Sequence, residues 1–201
     1  MSNYSKLILS DVTGRSRLPR TPFPTIRKLG LDAPALELMT DFFKNPAISV
    51  PADLPIDAAL DRMIYSGVRL LFVVGPDFEV LGDITSSDIQ GEKPMHYLRS
   101  QDCTINTCSR TDITVRDIMT PISAWRVLRY AGLEHATAGD IVETFKNLRQ
   151  RHLVVTQNAK DGTHTVRGLF AASTLESALG YPVDIDDTVS SFSDIERALA
   201  T

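Results

Sequence analysis

The alternation of apolar and polar positions divides the chain into two stretches with the same order of elements. Ile48 to Val50 is a short apolar run ended by Pro51 and predicts a strand. From Ile56 to Ser66 the apolar residues stand at 56, 59, 60, 63 and 64, the spacing of one buried helical face, and Gly67 stops that helix. Leu70 to Val74 is a continuous apolar run suited to a strand covered on both faces, GPDF at 75–78 is a turn, and Val80 to Thr85 returns as the next strand. A second helix begins at Ser86. The series strand, helix, strand, strand, helix recurs at Trp125 to Val127, Thr137 to Gln150, Leu153 to Gln157, Val166 to Ala171 and Ala172 to Gly180. Ahead of both, Pro34 to Lys44 has apolar residues at 35, 36, 38, 39, 42 and 43 and predicts a helix packed across the entry to the first stretch.

The recurrence extends to the residues themselves. Leu38-Met39-Thr40-Asp41 answers Ile118-Met119-Thr120-Pro121 at an offset of 80, and Arg69-Leu70-Leu71-Phe72-Val73-Val74 answers Arg151-His152-Leu153-Val154-Val155-Thr156 at 82. Gly82-Asp83-Ile84-Thr85 answers Gly168-Leu169-Phe170-Ala171 at 86, and the drift falls at turns, where insertions do least harm. A unit of about 60 residues with three short strands and two helices leaves an apolar face uncovered. Two units are therefore expected to pack as an α+β pseudo-dimer with a quasi two-fold axis and a cleft where they meet. The organisation predicted is a basic arm over 1–33, a first repeat over 34–100, a linker over 101–114, a second repeat over 115–181 and an acidic segment over 182–201.

Composition narrows the classes. The chain has 201 residues, 43% of them hydrophobic, with no apolar run near the ~18 to 20 residues a membrane span needs, so it reads as cytoplasmic. A net charge of −4 argues against a dedicated nucleic-acid binder. The charge is uneven: residues 1–30 carry six bases (Lys6, Arg15, Arg17, Arg20, Arg27, Lys28) against Asp11, whereas 184–196 hold five acids and no base. A basic arm can touch RNA or an acidic partner, or be only a solvated tail. Cys103 and Cys108, with His96 near them in sequence, are too few for a disulfide framework or a four-ligand zinc site and read as loop thiols.

Chemistry concentrates at GDITSSDI, 82–89. Thr85 and Asp88 have the spacing of a capping box, in which each side chain satisfies a backbone N–H orphaned at a helix start. This stretch, the Asp117-Ile118-Met119-Thr120-Pro121 segment and the Arg151 to Val155 stretch with its counterpart Arg69 to Val73 together resemble a tandem pair of CBS domains, the Bateman module. TSSDIQGEKPMHYL followed by VRDIMTP is similar in particular to small stand-alone bacterial proteins of that kind. The resemblance implies a regulatory module binding an adenine nucleotide such as AMP, ADP, ATP or an adenosyl relative, with Asp88 accepting from the ribose hydroxyls and Thr85, beside Gly82, contacting phosphate. A carboxylate is an acceptor-only group able to take both hydroxyls of a cis-diol, and N–H groups at a helix start favour phosphate. Capping and ribose binding are not separable on these residues alone.

Arg69, Arg151 and His152 occupy helix-to-strand corners where the family often places bases toward the cleft. They either meet phosphate or pair with surface acids such as Asp61. Ile48, Val50 and Val73 are the expected apolar surroundings of the adenine, and Asp83 is expected to be a solvated strand residue. Ala171 and Thr174 stand in the second repeat where Thr85 and Asp88 stand in the first, which predicts one competent site and one degenerate site. The resemblance further implies a homodimer, regulating an effector protein, with the nucleotide as its ligand and no required cofactor. No nucleophile elbow, P-loop, H-E-x-x-H or spaced His/Cys/carboxylate set is present to carry catalysis. The alternative to sensing is a structural or dimerising protein that keeps the fold and binds nothing.

Overall fold

The computed structural model describes residues 28–100, 109–158 and 163–185. The cysteine pair, most of the basic arm and nearly all of the acidic segment lie outside these residues.

In the first half, β2 (Ser49–Pro51) leads into α1 (Ile56–Ser66), β3 (Leu70–Val74), β4 (Val80–Thr85) and α2 (Ser86–Gln90). The second half repeats the order with β6 (Leu128–Arg129), α5 (Ala138–Leu148), β7 (His152–Asn158), β8 (His164–Ala171) and α6 (Ala172–Leu179). Between them lie α3 (Lys93–Ser100), α4 (Val115–Ile118) and β5 (Thr120–Pro121); β1 (Thr40–Asp41) precedes both halves. The α+β architecture with two copies of one unit is therefore present, and the pairing is parallel for β2 with β3 and β6 with β7, antiparallel within each following hairpin.

Each sheet has four strands, and the fourth comes from the other repeat. β5 adds to β4, giving the order β2-β3-β4-β5, and β1 adds to β8, giving β1-β8-β7-β6. The registers are equivalent: Pro121 lies opposite Gly82 and Asp41 opposite Gly168. This exchange explains a glycine at both positions, since a Cβ on Gly82 would run into the Thr120 carbonyl, and one on Gly168 would sit 2.7 Å from the Thr40 carbonyl oxygen.

The same exchange corrects the helix expected over Pro34 to Lys44. Only a 3-10 turn forms over Ala35–Leu38; Met39 is extended, and Thr40–Asp41 is drawn into β8's edge, where ladder hydrogen bonds replace helical ones. Ala35 and Leu38 pack with Leu133, Ala138 and Ile141 in the core of the second half, rather than over the first. Conversely, Ile113, Val115 and Ile118 join Ile56, Met63, Leu71, Val73 and Ile84 in the core of the first.

Two smaller departures follow from local turns. The strand expected at Trp125 to Val127 lies at Leu128–Arg129, because a 3-10 turn over Ile122–Ala124 delays the approach to β7. The helix starting at Ser86 ends at Gln90 before Gly91, and α3 resumes at Lys93.

β3 is covered on both faces, as its unbroken apolar run requires. Leu71 and Val73 point into the core of their own half, whereas Leu70 and Phe72 meet Val154 of β7 in a third cluster between the halves. Phe42 and Trp125 close this cluster edge-on against the Phe72 ring, with centroids 5.4 and 6.0 Å away.

Candidate functional site

The corners that precede β3 and β7 face the start of α2 across a cleft of about 860 Å³ between the halves. Ser86 N–H donates to the Arg69 carbonyl and Ala172 N–H to the Arg151 carbonyl, so each corner is tied to the start of the helix that follows its hairpin. Arg69, Thr85, Asp88, Arg151 and His152 all line this cleft, and the structure thus brings together five residues that are scattered over more than 80 positions of sequence.

Asp88 caps α2. Its Oδ2 accepts from the Thr85 N–H at 2.8 Å and from the Thr85 hydroxyl at 2.7 Å, while Asp88 N–H donates back to Thr85 Oγ1 at 3.2 Å. The other oxygen, Oδ1, takes a 2.7 Å ion pair from Lys93 Nζ, which also donates to the Ile118 carbonyl and Thr120 Oγ1 at 3.3 Å. Similar boxes begin at Thr114 with Asp117 and at Thr137 with Asp140; burial pushes the Asp117 carboxyl up, but hydrogen bonds from Thr114 and Tyr97 and the charge of Arg116 bring it below its usual range, and hydrogen bonds from Thr137 lower Asp140. Neither of those pairs lines the cleft.

α6 forms from Ala171 without any side-chain cap.

The remaining expected residues part company. Gly82 does not line the cleft; its role is to admit β5. Val50 is sealed in the core of the first half with Val73. Ile48 lines a separate pocket of about 360 Å³ together with Phe42, Leu169, Ala171 and Thr174, the quasi-equivalent position on the second half. Strand registers explain the split, because each cleft is built from the helix start of one half and the incoming strand of the other. Val50 pairs with Val73 and Leu128 with Val155, its equivalent, so Ile48 corresponds to Arg126, which lines the larger cleft.

Among the lining residues not legible as such are Asp83, Trp125, Arg126 and Arg149. Asp83 corrects the solvated position expected of it. It alternates with Ile84 and so points away from its own core, as strand period requires, but the other half covers that face and leaves it 9% exposed. Its carboxylate accepts from the Trp125 indole N–H at 2.5 Å. Burial pushes its pKa up to about 6; the indole N–H opposes this, Asp88 adds to it and Lys93 lowers it.

His152 is the counterpart of Leu70 and shares its inward-facing position. Burial pushes its pKa down to about 4, with Arg151 and Arg69 adding to the effect and Asp88 opposing it. The imidazole is therefore neutral near pH 7 and supplies no cation to the cleft, contrary to its grouping with the arginines. Arg151 pairs with Glu176 at 2.8 Å rather than with Asp61. No group of three or more metal-ligating side chains occurs among the described residues.

Residues 35–92 match the family model of the CBS domain. The fold is similar to that of a conserved protein from Pyrococcus horikoshii, at 21% identity and a TM-score of 0.50 over 75% of this chain and 94% of that one. It is similar as well to a Methanocaldococcus jannaschii protein considered a candidate archaeal homologue of γ-AMPK, at 19% identity and 0.51 over 73% of this chain and 50% of the other. A CBS-domain-containing protein from Agrobacterium tumefaciens matches at 16% identity and a TM-score of 0.48 over 68% of this chain and 88% of that one. The sequence matches none of the curated proteins. The resemblance to a tandem CBS module holds: the first repeat carries the family's pattern, and the second repeats its fold. Among the described residues, no helix is long and apolar enough to cross a membrane.

Proposed function

We propose that this chain is a regulatory module that binds one adenine nucleotide in the larger cleft and passes the event to an effector protein. The observation that carries this reading is convergence: Asp88 and Thr85 at the start of α2 face Arg69 and Arg151 on the two corners across one cleft of about 860 Å³. The carboxylate end suits the ribose hydroxyls and the guanidinium end suits phosphate. The second site, at about 360 Å³ and with Ala171 and Thr174 in place of Thr85 and Asp88, is taken as degenerate. Binding shifts an effector only by its differential affinity for two arrangements of the module, commonly about 1 to 3 kcal/mol. Exposed Tyr65 on α1, which lines neither cleft, supports a homodimer through that helix, and the same reading has the module act in the cytoplasm without catalysis of its own.

One observation favours the competing reading, a scaffold that binds nothing. Both oxygens of Asp88 already have protein partners, so ribose must displace Lys93 or share the carboxylate with it. A thermal-shift panel of AMP, ADP and ATP on the full chain separates the two readings, since a ligand selective for the folded state raises the melting temperature. A rise with any of the three supports sensing; no rise with all three at millimolar concentration supports the scaffold.

A further inference from the structure

We propose that the larger cleft selects a polyphosphate chain, favouring a nucleoside triphosphate over its monophosphate, through Arg126 and Arg149. This rests on the nucleotide reading above and specifies the ligand's charge. Four guanidiniums line the cleft, at 69, 126, 149 and 151, and only Arg151 has an acidic partner among the described residues, Glu176. Three guanidiniums without an ion-pair partner among the described residues thus line the cleft, while of the lining carboxylates Asp88 is paired with Lys93 and Asp83 accepts from the Trp125 indole N–H. A monophosphate carries at most two negative charges on a single phosphorus and a triphosphate about four spread along a chain, so the longer chain matches this field better.

Comparison of the halves shows that both added arginines stand where the first repeat has something smaller or apolar. Arg126 holds the place of Ile48 by strand register. Arg149 holds the place of Gly67: each ends the first helix of its half in the left-handed region, at φ 51° and 66°. Glycine adopts that conformation without penalty, whereas arginine is strained in it. A strained residue that faces a cleft and carries a fork of donors points to a task at the cleft, not at the helix end. The smaller pocket, with Ile48 and Gly67 in these places, has Arg69 as its only guanidinium among the described lining residues.

The test is isothermal calorimetry of the full chain with AMP, ADP, ATP and inorganic tripolyphosphate, on the unaltered protein and on Arg126→Ala and Arg149→Gly. The second variant restores the residue of the first repeat and should raise the melting temperature, so lost binding cannot be ascribed to lost folding. Expected are an order ATP, ADP, AMP of falling affinity, and for each variant about a 10-fold loss for ATP with AMP changed less than about two-fold. Equal affinity for AMP and ATP, or ATP affinity unmoved in both variants, overturns the proposal. Tripolyphosphate bound and weakened in both variants, with no nucleotide bound, upholds the polyphosphate cradle and overturns the nucleotide reading. Absence of binding by all four probes overturns both.

Discussion

Trp125 and Asp83, 42 residues apart in sequence, join the two halves through one charged hydrogen bond in which the indole N–H donates to the carboxylate at 2.5 Å. Asp83 lies on β4 of the first sheet, and Trp125 on the segment entering the second, with its ring edge-on to Phe72. This contact turns a buried carboxylate into part of the interface between the repeats.

Its ionisation should register in stability. The folded pKa of Asp83 lies near 6 against 3.8 when unfolded, so the folded state binds more protons between these values. The associated stability is present below pH 4 and lost as pH rises through 6, about 2 to 3 kcal/mol in all. Asp83→Asn keeps an acceptor for the indole and abolishes the charge; it is expected to stabilise the protein at pH 7 by about 1 to 3 kcal/mol in urea unfolding. A loss of stability at pH 7 in that variant would show that the charge itself is needed.

His152 acts with the opposite sign. Its folded pKa near 4 against 6.5 means that the unfolded state binds the extra proton, so this contribution is present above pH 6.5 and lost as pH falls toward 4. Over pH 4 to 6 the two groups offset each other. Stability measured across that window should change little in the unaltered protein, fall steeply on acidification in Asp83→Asn, and rise on acidification in His152→Gln.

Replacement of Asp88 by alanine separates capping from ligand contact. Loss of the cap should cost about 1 kcal/mol of stability, read from the melting curve, whereas loss of charged hydrogen bonds to ribose should weaken a nucleotide by about 1.5 to 3 kcal/mol, roughly 10- to 150-fold. Unchanged affinity in calorimetry would leave Asp88 with the cap alone.

Gly82→Val tests the exchanged strand. A side chain there meets the backbone of β5, which is not the end of a flexible group and has nowhere to move without leaving the sheet. The expected cost is about 2 to 4 kcal/mol in denaturant unfolding, against less than about 1 kcal/mol for Val80→Thr nearby on the same strand.

Rebuilding the second motif should not rebuild the second site. Ala171→Thr with Thr174→Asp supplies the missing groups, but Phe42, Ile48 and Leu169 still occupy the quasi-equivalent positions and leave about 360 Å³. Nucleotide stoichiometry in calorimetry is therefore expected to stay at one per chain; a value of two would mean that the polar pair alone decides occupancy.

The amino-acid sequence by itself determined the repeat, the order of its elements, the core face of α1 and the capping box at Thr85 and Asp88. These are read within about ten residues, where helical spacing, strand alternation and turn chemistry act locally. Only the tertiary structure decided which half each segment completes. Thr40–Asp41 carries the apolar flank of a helix yet becomes a strand because β8 offers an unpaired edge, and that edge lies more than 120 residues away. Likewise Asp83 alternates outward as its pattern requires, but whether outward means water or protein depends on the opposing half. Arg126 and Arg149 face the cleft for the same reason. Local periodicity specifies a direction relative to a residue's own element, and burial, pKa and neighbours across the cleft are settled by packing between surfaces that the chain brings together only when folded.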